Sequence, residues 1–197
     1  MHRQERQERH GGAIRAFVAV ELPRDVHDRL VAVVRDLARH RAAVRWVRDD
    51  NLHLTLKFLG NVSAEALDAL RADLTVALRD TPPLAATVRG LGVFPDPRRP
   101  RVVWAGIDCA PLATVATAVD AAAARVGVAP ETRPFSAHVT LGRVGSPARW
   151  APLGHEIAAR AAEHLGAWTL DALVGFRSDL RPGGALYTKL WSIPFGG

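Results

Sequence analysis

A histidine and a threonine, separated by one residue, occur together twice in this chain. His53 and Thr55 lie in NLHLTLKFLG, and His138 and Thr140 lie in SAHVTLGR. An imidazole titrates near neutral pH, so one ring can accept a proton while the other donates one. A hydroxyl can donate a hydrogen bond to a phosphate oxygen where negative charge concentrates. Brought together, the two pairs would suit in-line attack on a phosphate diester. The symmetry of the motifs leaves open which histidine is the acid and which the base.

Both motifs fall in apolar runs that are typical of β-strands. Because side chains alternate between the two faces of a strand, His53 and Thr55 should point the same way, with Lys57 on that side. Lys57 is therefore a candidate substrate-binding residue. His138 and Thr140 should likewise share a face. Neither motif carries a second metal ligand two positions away, so the sequence predicts that no metal or other cofactor takes part.

The elements predicted around the two motifs recur in the same order, which is strand, helix, motif strand, helix. The predicted helices are 24–41, 64–79, 112–126 and 150–164, and the predicted strands are 13–22, 44–47, 52–59, 84–94, 102–107, 137–144, 168–180 and 185–193. A hairpin turn is expected at RPGG. This order predicts an α+β fold over 13–197. In it, two pseudo-symmetric lobes, each with an antiparallel sheet and helices, face each other across an active-site cleft.

The charge of the chain favours a polyanionic partner. The 197 residues carry a net charge of +6, and Lys57 and Lys189 are the only lysines. The planar fork of arginine pairs with phosphate in a bidentate way, so RNA suits this composition. A GC-rich genome would also enrich arginine and alanine, and the charge is therefore weaker support than the motifs.

The remaining composition indicates the cellular environment that we expect for the protein. Cys109 is the only cysteine, which excludes an intrachain disulfide and fits a reducing cytoplasm. The first twelve residues are charged and lack an apolar segment, so we expect a disordered tail over 1–12 rather than a signal peptide. No apolar run has the length of a membrane span, and no membrane partner is predicted.

With these motifs the sequence resembles the 2H phosphoesterases, in particular the bacterial and archaeal RNA 2′,3′-cyclic phosphodiesterases once described as 2′-5′ RNA ligases. The resemblance extends from Ala13 to Phe195. It rests on RAFVAVELP, RWVRDDNLHLTLKFLG, GLGVFPDPRRPRVVWAGI, RPFSAHVTLGR and FRSDLRPGGALY. Ala137 is a departure, because the family often has proline just before the second histidine. The change removes no chemical group from the motif.

The resemblance implies a cytoplasmic, metal-independent enzyme that hydrolyses the terminal 2′,3′-cyclic phosphate of RNA to a 2′-phosphate. We expect a monomer that binds RNA or oligonucleotide ends. The resemblance also implies that His53 is the proton donor and His138 the proton acceptor. It further implies that Thr55 and Thr140 bind the phosphate, and that Arg143 contacts it. Strict alternation would turn Arg143 away from His138, so this last role requires a strand end or a bulge.

Two other functions fit the same residues. A 2′-5′ RNA ligase would use the site in reverse, since ring opening and ring closure share a transition state. A non-catalytic RNA-binding module would keep the fold and the basic charge, but it would not need histidine and threonine at all four motif positions. Four aromatic residues are candidates to stack a terminal base: Trp46, Phe58, Trp150 and Tyr187.

Overall fold

The computed structural model describes residues 12–182 and 184–196. The predicted tail, 1–12, lies outside the described residues except for Gly12. The elements follow in the order β1 (Ile14–Val20), α1 (Arg24–Ala38), β2 (Val44–Trp46), a 3-10 turn (Asp49–Asn51), β3 (Leu54–Val62), α2 (Ala64–Ala77), β4 (Leu84–Phe94), β5 (Val102–Asp108), α3 (Leu112–Arg125), β6 (His138–Val144), α4 (Trp150–Ala159), β7 (His164–Leu170), β8 (Ala172–Arg181) and β9 (Gly184–Pro194).

The strands of the described residues form one nine-stranded sheet. Its order is β7-β4-β5-β6-β3-β1-β8-β9, with the short β2 paired to β6. Every strand pair is antiparallel, so the predicted α+β class with antiparallel strands is confirmed. The two motif strands, β3 and β6, meet through a single residue pair, Leu54 with Val139. The two halves are thus joined into one sheet at that pair, where the sequence had predicted a separate sheet in each lobe.

On both sides of the central Leu54–Val139 pair, the sheet has four strands with the motif strand innermost. Moving outward from β3, the chain supplies β1, β8 and β9, and moving outward from β6 it supplies β5, β4 and β7. In each half the motif strand pairs with the strand that precedes it across one helix, β1 with β3 and β5 with β6. Leu54 and Val139 are the middle residues of the two His-x-Thr motifs, so the motifs are related by this pseudo-twofold arrangement.

The helices fix the two halves against each other. The first helix of each half packs on strands of the other half, since α1 contacts β7 and β2 while α3 contacts β3. Leu54 and Val139 are fully buried together with apolar residues of the helices, such as Leu30 of α1 and Val119 of α3. One apolar core therefore lies on the helix-covered face, and its burial is the main stabilising term. Because the first helix of each half packs on the other half, the helices hold the two motif strands together where the backbone pairing is limited to one residue pair.

Two of the elements predicted from the sequence have other boundaries in the structure. The fourth helix ends at Ala159 rather than at 164, and His164 already begins β7. The predicted strand 168–180 is in fact two strands, which break at Asp171 and belong to opposite halves, because β7 pairs with β4 and β8 with β1. The hairpin predicted at RPGG is confirmed by the pairing of Arg181 with Gly184. Within the described residues, no helix has the length and apolar character needed to cross a membrane.

Candidate active site

The pair between β3 and β6 brings the two motifs together. Leu54 and Val139 point into the core and have no exposed surface. Residues on either side of such a pair point to the opposite face of the sheet. These flanking residues are only half-buried: His53, Thr55, His138 and Thr140. The structure therefore collects on one face, hereafter the site face, the four residues that the sequence singled out.

Both imidazoles are held in the same way. Nδ1 of His53 lies 2.8 Å from the carbonyl oxygen of Asn51, and Nδ1 of His138 lies 2.7 Å from that of Ser136. A carbonyl oxygen can only accept, so Nδ1 carries the proton and donates it in both rings. Nε2 is then the nitrogen whose protonation changes, as an acceptor in the neutral ring and as a donor in the cation. Either histidine can serve as base or as acid through Nε2.

The surroundings of the two rings differ. His53 lies among aromatic side chains, with its ring centroid 4.8 Å from that of Phe17 and 5.3 Å from that of Tyr187. His138 has Phe94 against it, at 5.1 Å between ring centroids. Burial lowers the pKa of His53 below its ordinary value of 6.5, and the hydrogen bond to the Asn51 carbonyl only partly offsets this. The neutral form of His53 is therefore favoured in the free protein.

A bulge in β3 changes which residues face the site. Thr55 pairs with Ala19, but Lys57 pairs with Val18, so Leu56 and Lys57 together oppose one residue of β1. Both consequently lie on the helix-covered side, and the alternation resumes with Phe58 on the site face. The prediction that Lys57 shares a face with His53 and Thr55 is wrong, because it assumed a regular strand.

Lys57 is instead committed to internal contacts. It is 3% exposed, and its Nζ donates to the carbonyl oxygen of Ala129 at 2.7 Å. The same ammonium lies 2.6 Å from Oδ1 of Asp120 and 3.1 Å from Oε1 of Glu131. Burial opposes its charge, but the hydrogen bonds to these carboxylates outweigh burial and raise the pKa of Lys57. With three partners for three N–H groups, Lys57 ties β3 to the segment that leads into the second motif and has no donor left for a phosphate.

An equivalent bulge in β6 has the opposite consequence for Arg143. Thr140 pairs with Trp104, whereas Leu141 and Gly142 together oppose Val103. Arg143 therefore returns to the face of Thr140, which meets the geometric requirement for a phosphate contact. Gly142 occupies the position that Lys57 has in β3. A Cβ at Gly142 would lie 2.7 Å from Cγ1 of Val44, so glycine is required for this close approach of β2.

Comparison with known proteins identifies the family. The sequence profile of the family described as LigT-like phosphoesterases matches residues 20–104 and 108–187. The chain belongs to this family. The family expected from the sequence is thereby confirmed.

Relatives of this LigT-like phosphoesterase share most of its length. An RNA 2′,3′-cyclic phosphodiesterase of Methanothermobacter thermautotrophicus is 33% identical over 178 residues, which cover 90% of this chain and 96% of the relative. The crystal structure of TT0787 of Thermus thermophilus has a TM-score of 0.77 and 30% identity, covering 93% of this chain and 99% of that one. Escherichia coli LigT complexed with 3′-AMP has a TM-score of 0.73 and 29% identity, covering 94% and 99%.

The LigT-like site contains residues that the sequence alone did not assign. Phe17 and Phe94 pack against the two imidazoles. Both are aromatic residues in predicted strands. Such residues most often belong to the core, so their type and position did not mark them as site residues. Of the four candidate stacking residues, Phe58 is 55% exposed opposite Phe17, and Tyr187 contacts His53.

The other two candidate stacking residues are engaged elsewhere. Trp46 packs against Gly142 on the side of the core, and Nε1 of Trp150 donates to the carbonyl oxygen of Pro97 at 3.3 Å.

Nowhere in 12–182 and 184–196 do three or more histidine, cysteine or carboxylate side chains lie close enough together to hold a metal ion.

Proposed function

We propose that this LigT-like phosphoesterase hydrolyses the terminal 2′,3′-cyclic phosphate of RNA to a 2′-phosphate without a metal. The observation that carries the proposal is the single Leu54–Val139 pair, around which two imidazoles and two hydroxyls lie on one face of the sheet. The name of the Methanothermobacter relative, an RNA 2′,3′-cyclic phosphodiesterase, supports the substrate class. LigT with 3′-AMP bound supports a nucleotide ligand for this fold.

In the proposed mechanism, Nε2 of His138 accepts a proton from the attacking water as its oxygen bonds to phosphorus. The bond from phosphorus to the ribose 3′ oxygen breaks, and Nε2–H of His53 protonates that oxygen. Thr55 and Thr140 donate hydrogen bonds to the non-bridging oxygens, where charge develops. His138 ends as the cation and His53 as the neutral ring, and exchange of one proton with solvent restores the starting state.

The acid role of His53 requires a proton that its burial disfavours in the free protein. A bound cyclic phosphate carries one negative charge. An opposite charge within a few ångströms favours the cationic form of an imidazole. Substrate binding would therefore raise the pKa of His53 and supply the acid at the moment when it is needed. The exchanged assignment, with His53 as base, uses the same atoms, and the leaving-group experiment in the Discussion distinguishes the two.

One experiment separates this function from ligation and from simple RNA binding. The protein is incubated in EDTA with an oligonucleotide that ends in a 2′,3′-cyclic phosphate, together with an RNA that has a 5′-hydroxyl end. We expect the mass to increase by one water and phosphorus NMR to show a 2′-phosphate. A joined product would favour the ligase, and an unchanged substrate would favour a binding module. A rate that EDTA abolishes and that zinc or manganese restores would contradict the metal-free mechanism. The cytoplasmic location and the monomeric state stay predictions.

A further inference from the structure

A second arginine lies beside Arg143 on the neighbouring strand. In the β2–β6 ladder, Arg45 directly opposes Arg143, and Trp46 opposes Gly142. Trp46 packs against Gly142 on the side of the core, so Arg45 emerges on the other side, which is the site face. Both arginines are exposed. Neither the sequence motifs nor the two histidines account for Arg45.

This pair of arginines places two like charges directly opposite each other in the sheet. No carboxylate of the described residues lies within 4 Å of either guanidinium to offset this charge. Like charges directly opposite each other destabilise a sheet. A bound anion would relieve that repulsion, and two guanidinium forks suit a phosphate.

The position of the pair indicates which phosphate it would bind. Arg143 is three residues beyond Thr140, which corresponds to at most about 10 Å along the strand. Arg45 lies directly across from Arg143 on β2, which pairs with the same edge of β6 as β3 does, at an interstrand spacing of about 4.8 Å. Arg45 is thus displaced from the reacting phosphate toward a neighbouring one.

We propose that Arg45, together with Arg143, binds the internucleotide phosphate that precedes the terminal ribose. The proposal rests on the proposed function, because it assumes that the cyclic phosphate lies between the two histidines. It deepens that function by making the substrate an RNA strand rather than a free cyclic nucleotide. Arg45 is then a specificity-determining residue, since a nucleoside 2′,3′-cyclic phosphate has no preceding phosphate for it to contact.

The test compares three substrates: a nucleoside 2′,3′-cyclic phosphate, a dinucleotide that ends in the same group, and that dinucleotide with an uncharged methylphosphonate linkage. We expect the wild-type kcat/KM to be about 10- to 100-fold higher for the normal dinucleotide than for the methylphosphonate, the usual effect of a charge-assisted hydrogen bond. In Arg45→Gln this ratio should fall close to one. Arg45→Lys, which keeps the charge without the planar fork, should retain part of it.

Arg29→Gln is the matched control. Arg29 is an exposed arginine of α1, on the helix-covered side, and no carboxylate of the described residues lies within 4 Å of it either. This variant loses the same charge and should keep the wild-type ratio. The slope of log kcat/KM against log salt for the dinucleotide should decrease in magnitude by about one in Arg45→Gln and not in Arg29→Gln.

The outcomes distinguish this inference from the proposed function. If the wild type hydrolyses none of the substrates, the proposed function fails. The dissociation constants of the normal and methylphosphonate dinucleotides, compared in the same variants, then test Arg45 directly. If hydrolysis occurs but Arg45→Gln leaves the ratio unchanged, or lowers all three rates alike, Arg45 does not read the preceding phosphate. Thermal unfolding guards against a folding defect, because removing one of two opposed like charges should leave Tm at or above the wild-type value.

Discussion

Replacing each motif histidine by alanine tests the centre of the proposed mechanism. Both rings are anchored through Nδ1, at 2.8 Å for His53 and 2.7 Å for His138, and so each presents one titrating nitrogen. A positioned proton carrier contributes roughly 100- to 10,000-fold, and we expect each single variant to lose activity by about that factor. The double variant should lose much less than the product, because groups that act in one transition state are not additive.

The roles of the two rings are separated by the leaving group. A nitrophenyl phosphodiester releases a nitrophenolate, which needs no proton, so loss of the general acid should matter little with that substrate. We expect His53→Ala to be rescued by it and His138→Ala to remain slow. The opposite result would exchange the roles and keep the mechanism, and it would agree with the lowered pKa of His53.

The pH dependence gives an independent check of the same assignment. If His53 is the acid, the residual kcat/KM of His138→Ala, in which the second imidazole is absent, should fall as pH rises, and this limb should lie below pH 6.5, because burial lowers the pKa of His53 in the free protein. The corresponding limb of kcat should lie at higher pH, since bound phosphate raises that pKa. His155→Ala, an exposed histidine of α4, is the control and should behave as the wild type. If neither His53→Ala nor His138→Ala slows hydrolysis, the repeated motif is structural and the two-histidine mechanism is refuted.

Two further predictions concern stability. Lys57→Met should lower the free energy of unfolding in urea by about 2–3 kcal/mol. This is somewhat less than for a fully buried pair, because Asp120 and Glu131 keep 26% and 60% of their side-chain surface exposed and can be hydrated. An unchanged unfolding midpoint would contradict the structural role of Lys57. The free energy of unfolding should also fall as pH drops from 7 toward 5, because the unfolded chain protonates His53 near 6.5 while partial burial lowers its pKa in the folded protein. His53→Asn should flatten this dependence, and an equally steep profile in that variant would show that other groups cause it.

The sequence by itself determined the features that depend on residue type and local periodicity. Helix and strand type follow from hydrophobic spacing within a few turns or pleats, and β4 runs over Leu84–Phe94 as predicted. Ser63 precedes an amphipathic helix, and its Oγ accepts from the backbone N–H of Ala66 at 3.2 Å, as a local cap does. The two His-x-Thr motifs need no partner to be recognised. They also carried the family resemblance that the comparison confirmed.

The tertiary structure decided which side chains actually face the site. Alternation along a strand holds only while each residue has one partner, and a bulge is defined by the neighbouring strand rather than by the strand that contains it. The register of β1 removes Lys57 from the site face, and the register of β5 brings Arg143 onto it. Asp120 and Glu131, distant in sequence, then supply the charge that allows Lys57 to be buried. The pairing of Arg45 with Arg143 likewise joins distant segments, so only the assembled sheet could reveal it.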